Sequence, residues 1–146
     1  VMKSVKSNSR DFINKNIKLD IRGIEGNIFS DEKWVEFIIN QIIINAVKFS
    51  IPNEGKVSIY SKVNENNIIL TIEDNGVGIN EKDIDRVFEK GFTGENGRKF
   101  GKSTGIGLYL CKKLCDKLGI GISLNSKENI GTKVNIVFPQ GKFTDF

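Results

Sequence analysis

A chain of 146 residues with 38% hydrophobic and 27% charged side chains has the length and balance of one globular domain with a real core. Its net charge of +4 comes from scattered Lys and Arg, which suits an anionic ligand and lends a nucleic-acid surface no support. The sequence contains no histidine, so Ser-His and Cys-His nucleophilic catalysis and any histidine base are excluded from this chain.

Residues 1–16 are polar and basic. Residues 17–21 alternate weakly, with Leu19 between charged neighbours, and residues 24–29 can form a second short strand after Gly23. Ser30-Asp31-Glu32 reads as a helix start with acidic residues in the first turn. The helix predicted over 31–50 is apolar nearly all round, from Trp34 and Val35 to Ile44 and Val47, and is expected to be buried. Gln41, Asn45 and Lys48 interrupt it at i, i+4 and i+7, with Phe49 beside them. This polar stripe faces either bulk water or a polar ligand. An unpaired buried polar group costs about 1–3 kcal/mol, and the helix has little other polar surface, which favours the ligand.

Residues 56–63 and 68–73 read as strands joined by a turn at 64–67. The second strand delivers Asp74 into Asp74-Asn75-Gly76-Val77-Gly78-Ile79. A carboxylate at a strand end followed by two glycines can hydrogen-bond an exocyclic amine and let a flat base approach. Asp-Asn-Gly is also a hairpin signal, but no alternating run follows it. Asn80 instead opens a short helix whose face carries Ile84, Val87 and Phe88.

Residues 89–103 are polar, basic and punctuated by Gly91, Gly94, Gly97 and Gly101, as in a mobile loop. A helix then starts at Ser103-Thr104-Gly105-Ile106-Gly107, runs through Leu118 and ends at Gly119. Glycines in its first turn leave N–H groups free to meet an anion. GRKFGKS at 97–103 falls one residue short of a phosphate-binding P-loop and lacks the buried strand before it, so a P-loop nucleotidase is rejected. Cys111 and Cys115, one helical turn apart and without histidine, are expected to be plain reduced thiols. Residues 120–126 and 132–138 read as an antiparallel pair with a turn near 128–131, and Pro139 ends the last strand. No apolar run is long enough to span a bilayer and no signal peptide pattern opens the sequence. These elements predict an α+β two-layer sandwich: one mixed, mostly antiparallel sheet covered on one face by about three helices.

The order QIIINAVKFS, DNGVGI, VFEKGF, GKSTGIGL resembles the N, G1, F and G2 boxes of the histidine-kinase catalytic and ATP-binding domain, within the wider family that includes gyrase, the Hsp90 chaperone and MutL. The resemblance covers roughly residues 30–139 and implies the Bergerat-type ATP-binding fold. The string TGENGRKFGKSTGIGLYLCKKLCDKLG further looks like sensor kinases that work beside antimicrobial-peptide transporters. The resemblance implies one catalytic and ATP-binding domain over 1–146, with its core at about 17–139. It implies ATP and Mg²⁺ as ligands, Asp74 as acceptor for adenine N6, Phe49 stacked on adenine, and Asn45 on Mg²⁺. It further implies Lys48 on a phosphate and Gly105 and Gly107 presenting N–H groups to the phosphates. The nucleotide-contact set it implies is Phe49, Asp74, Gly76, Gly78, Ile79, Thr93, Arg98, Lys102, Ser103, Thr104, Gly105, Ile106, Gly107 and Leu108. Phe88 and Phe92 are expected to anchor the lid, where Arg98, Lys99 and Lys102 lie near the γ-phosphate.

The family's ATP-hydrolysing branches carry a Glu where this chain has Gln41. An amide cannot serve as their base, which favours transfer to a protein nucleophile over hydrolysis. With no histidine in this chain, the resemblance then implies an acceptor on a separate upstream dimerisation domain, a response regulator as the next partner, and a membrane-anchored homodimeric parent whose cytoplasmic part this is. No nucleic acid is expected. The alternative is a nucleotide-binding module of a related ATPase or degenerate kinase without transfer activity.

Overall fold

Alternating apolar residues give each strand one face that must be covered, and this requirement sets the layers. The computed structural model describes residues 1–23, 32–92 and 107–139. Helices α1 (Met2–Ser7) and α2 (Ser9–Asn14) precede strand β1 (Lys18–Arg22) and the long helix α3 (Glu32–Lys48). Strands β2 (Lys56–Val63) and β3 (Asn67–Asp74), helix α4 (Glu81–Ile84), helix α5 (Gly107–Leu118), and strands β4 (Gly121–Lys127) and β5 (Gly131–Pro139) follow. The five strands form one sheet in the order β1-β2-β3-β5-β4. β1 pairs with β2 in parallel and every other pair is antiparallel, the mixed sheet expected from the sequence.

One face of the sheet carries Val57 and Ile59 of β2, Ile68, Leu70 and Ile72 of β3, and Val134, Ile136 and Phe138 of β5, all buried. Against them lie Ile38, Ile39, Ile42 and Ile43 of α3 and Cys111 and Cys115 of α5. Burying each large aliphatic side chain contributes about 1.5–3 kcal/mol. The two thiols are fully buried, and burial pushes them up, Cys111 to about 12 and Cys115 to about 11. Both are free thiols, as expected, and their place in the core makes them small hydrophobes. The opposite face is polar. There the Tyr60 hydroxyl donates to Glu73 at 2.9 Å, Lys133 pairs with Glu73 at 3.7 Å, and Thr71 donates to Asn135 at 2.8 Å.

Three differences from the sequence reading have physical causes. Residues 1–16, read only as polar and basic, form α1 and α2, and Val5 and Phe12 join the buried cluster. Short helices gain their stability from such docking, which local pattern does not reveal. The long helix is not buried all round: Trp34 is 46% and Ile44 37% exposed, because a helix lying on a single sheet keeps one side out. The helix after Asn80 is a single turn, α4, followed by turns through Phe88. Asn80 caps it as anticipated, accepting from the Lys82 N–H at 3.0 Å. The proposed strand at 24–29 and the glycine-rich stretch from Thr93 to Ile106 lie outside the described residues.

The turns come where the sequence put them. Asn64 closes the β2–β3 hairpin by accepting from the N–H groups of Asn66 at 3.0 Å and Asn67 at 2.8 Å. Gly119 ends α5 at φ +71°, and Ile120 donates back to the Cys115 carbonyl at 2.8 Å.

Candidate functional site

Asp74 is the last residue of β3, and the strand's alternation puts it on the face of Ile68, Leu70 and Ile72. A carboxylate therefore ends a row of buried aliphatics and is itself only 8% exposed. Burial pushes its acid up to about 6, against hydrogen bonds from the Gly76 and Thr132 main chains that pull it down; the nearby Glu73 charge adds to the rise. The Gly76 N–H donates to Asp74 Oδ1 at 2.9 Å, so the turn itself aims the carboxylate.

The two glycines serve this turn in a way the sequence did not disclose. A Cβ on Gly76 would run into the Phe49 carbonyl, and one on Gly78, at φ +70°, into the Lys127 carbonyl. The space a Cβ would need at each is taken by the protein's own main chain. The turn is thereby tied to two other elements. Val77 N–H donates to the Phe49 carbonyl at 3.1 Å, and Asn129 N–H donates to the Val77 carbonyl at 2.7 Å. Ile79 N–H donates to Ser126 Oγ at 2.8 Å, and Asn80 reaches Glu128 at 3.3 Å. Asn75, unassigned from sequence, accepts from the Lys56 N–H at 2.8 Å and donates to the Glu54 carbonyl at 3.2 Å.

The C-terminal half of α3 supplies the second group. Gln41, Asn45, Lys48 and Phe49 are all half-buried, so the stripe faces neither bulk water nor the core. Burial lowers the Lys48 ammonium, which lies 5.4 Å from the centre of the Phe49 ring. The start of α5 is the third group. Gly107 lies so close to Gln41 that a Cβ there would stand 2.8 Å from Gln41 Oε1. Glycine at the head of α5 is thus required by contact with α3, and Leu108 follows it half-buried.

The structure therefore brings together Gln41, Asn45, Lys48, Phe49, Asp74, Gly76, Gly78, Ile79, Gly107 and Leu108 on three converging segments. Thr93, Arg98, Lys99, Lys102, Ser103, Thr104, Gly105 and Ile106 lie outside the described residues. Arg86 stacks on Phe92 at 4.4 Å and pairs with Glu89 at 3.2 Å. Phe88 and Phe92 are half-buried.

Residues 30–142 match the family described as histidine kinase-, DNA gyrase B-, and HSP90-like ATPase. The chain belongs to this family. Sensor histidine kinase YxdK of Bacillus subtilis (strain 168) is 42% identical over 111 residues, 76% of this chain and 34% of the relative. Sensor protein BceS of the same organism is 37% identical over 139 residues, 95% of this chain and 41% of the relative. The chain thus spans well under half the length of either. Among solved structures, the mycobacterial sensor histidine kinase MprB superimposes with a TM-score of 0.80 over 93% of this chain and 92% of that one, at 23% identity, a likeness of fold.

The donor set around Asn45 bears on which metal an ATPase-family site of this kind takes. Among the described residues no group of three or more His, Cys, Asp or Glu could hold an ion. One half-buried amide oxygen fits Mg²⁺, which keeps most of its waters and is commonly shared with substrate phosphates.

Proposed function

We propose that this chain is the catalytic and ATP-binding domain of a sensor histidine kinase, which transfers the γ-phosphoryl group of ATP to a histidine on a separate dimerisation domain. The observation that carries the reading is Asp74. It is a buried carboxylate, aimed by the Gly76 N–H, on a turn bonded to the Phe49 main chain beside Lys48.

In this reading Asp74 accepts from adenine N6, a charge-assisted bond when ionised. The Phe49 ring stacks on the base, and Ile79 and Leu108 lend apolar walls. Lys48 reaches a phosphate; its lowered ammonium reflects partial desolvation, which strengthens its pull on an anion. Gly107 opens α5, where first-turn N–H groups lack helical partners and the helix dipole favours negative charge. Asn45 would hold Mg²⁺, which when bound neutralises charge on the transferring phosphates. Arg98, Lys102, Thr93, Ser103, Thr104, Gly105 and Ile106 complete the nucleotide set by sequence resemblance.

The remaining roles divide between Gln41 and the acceptor. Gln41, packed on Gly107, has no basicity with which to activate water. The acceptor must come from outside these 146 residues, which hold no histidine. A response regulator receives the phosphoryl group next, and the parent is a membrane-anchored homodimer of the antimicrobial-peptide-sensing branch. Among the described residues no helix is long and apolar enough to cross a membrane.

Radiolabelled ATP with Mg²⁺ tests the proposal. Acid-labile label is expected on an added histidine-bearing helical domain, and only when this chain is present. Absence of label on the matched domain, with ATP bound, would remove the kinase assignment.

A further inference from the structure

The ammonium of Lys15, just past α2, donates to three main-chain carbonyls at the end of α3: Val47 at 3.0 Å, Lys48 at 2.9 Å and Ser50 at 3.3 Å. The last carbonyls of a helix lack intrahelical partners, and an ammonium has three donors to give them. Its charge also lies at the negative end of the helix dipole. The Lys15 main chain is fastened to the same place, its carbonyl accepting from the Asn53 N–H at 2.8 Å. Further up α3, Asn8 Nδ2 donates to Asn40 Oδ1 at 2.8 Å, so the α1–α2 segment is fastened to α3 at its middle and at its end.

Phe49 lies between the Lys48 and Ser50 carbonyls that Lys15 holds. The Phe49 carbonyl itself accepts from Val77, on the turn that aims Asp74. The residue is therefore gripped from both sides, by Lys15 and by the turn after β3. We propose that Lys15 is a positioning residue for the nucleotide site: it fixes the main chain flanking Phe49, and so keeps the Phe49 ring and the Lys48 ammonium in register with Asp74. This rests on reading Phe49, Lys48 and Asp74 as a nucleotide site. Residues 1–16, outside the nucleotide set proposed above, thereby tune that site.

Four forms of the 146-residue chain separate the two readings: wild type, Lys15→Met, Lys15→Arg and Asp74→Asn. Each is titrated with Mg-ADP by calorimetry and followed by amide exchange without nucleotide. Lys15→Met, which keeps the stem and loses the donors, is expected to weaken ADP binding about tenfold. It should also speed exchange of the Val77 amide about tenfold while amides of the β4–β5 hairpin keep their rates. Lys15→Arg, with five donors to offer, should recover most of the affinity.

ADP affinity within about twofold of wild type in Lys15→Met, with binding lost in Asp74→Asn, overturns the role of Lys15 alone. Absence of ADP binding by wild type overturns the nucleotide reading, and the role of Lys15 built on it. Exchange speeded evenly over the molecule marks a general staple and also overturns positioning. Should Lys15→Met fail to fold, Lys15→Gln, which keeps two donors, carries the same readouts.

Discussion

At the scale of single residues, Asp74 trades stability for binding. Its folded acid stands at about 6, above the ordinary 3.8, so the folded chain holds the proton more tightly than the unfolded chain does. Ionising Asp74 therefore costs stability. The cost is complete above about pH 6, shrinks as pH falls through the folded value, and is gone below the unfolded value. Asp74→Asn is expected to resist urea better than wild type at pH 7.5, by about 1–2 kcal/mol, less than the full shift because the amide replaces a bonded carboxylate. That advantage should shrink by pH 5. The same variant should lose ADP affinity, and wild-type affinity should itself decline below about pH 6, as calorimetry across pH would show. Equal urea midpoints for the two proteins at both pH values would mean that burial does not strain Asp74. Asn45→Ala should behave differently. Its loss is expected to reduce Mg²⁺-dependent affinity and transfer far more than affinity for metal-free nucleotide, because its proposed role puts its oxygen on the metal and not on the base. Titrations with and without Mg²⁺ separate the two effects.

At the scale of elements, the site is held by main chain meeting main chain. The turn after β3 has no room for a side chain at Gly76, where the Phe49 carbonyl fills the space. Gly76→Ala must push the end of α3 away from β3. The expected cost is about 1–3 kcal/mol of stability, as for other overpacked sites, together with weaker ADP binding because Phe49 moves with its main chain. Urea denaturation and calorimetry on the one variant check both. A variant that is destabilised but binds ADP normally would dissociate Phe49 from the base. The β4–β5 hairpin supports the same turn from the other side through Ser126 and Asn129, so the turn that aims Asp74 is steadied by three segments distant in sequence: the end of α3, the start of β2 and this hairpin.

At the scale of the whole molecule, the proposed phosphoryl-transfer site has no histidine acceptor within these 146 residues. It is expected to bind ATP with Mg²⁺, to accumulate no phosphohistidine, and to hydrolyse ATP only very slowly. Transfer depends on an in-line nucleophile placed against a held γ-phosphate, and here no histidine is present and Gln41 cannot activate water. Product assays on the isolated chain check this. Brisk release of inorganic phosphate would place it functionally with the hydrolysing members of its family.

The sequence by itself determined the order of the described elements from β1 onward, the α+β class and the family, because each depends on local periodicity or on short motifs whose spacing survives any tertiary detail. The alternation of β3 assigned Asp74 to a strand end, and the interrupted apolar pattern of α3 marked Gln41, Asn45 and Lys48. Only the tertiary structure decided what the glycines are for, since the atoms they make way for, the Phe49 and Lys127 carbonyls, are far away along the chain. It also decided that residues 2–14 are helical, because such short helices are stable only when Val5 and Phe12 find a core to enter. Lys15 is the extreme case: a surface-type residue in a basic stretch becomes a triple donor only when α3 ends beside it, and no local pattern encodes where another helix will end.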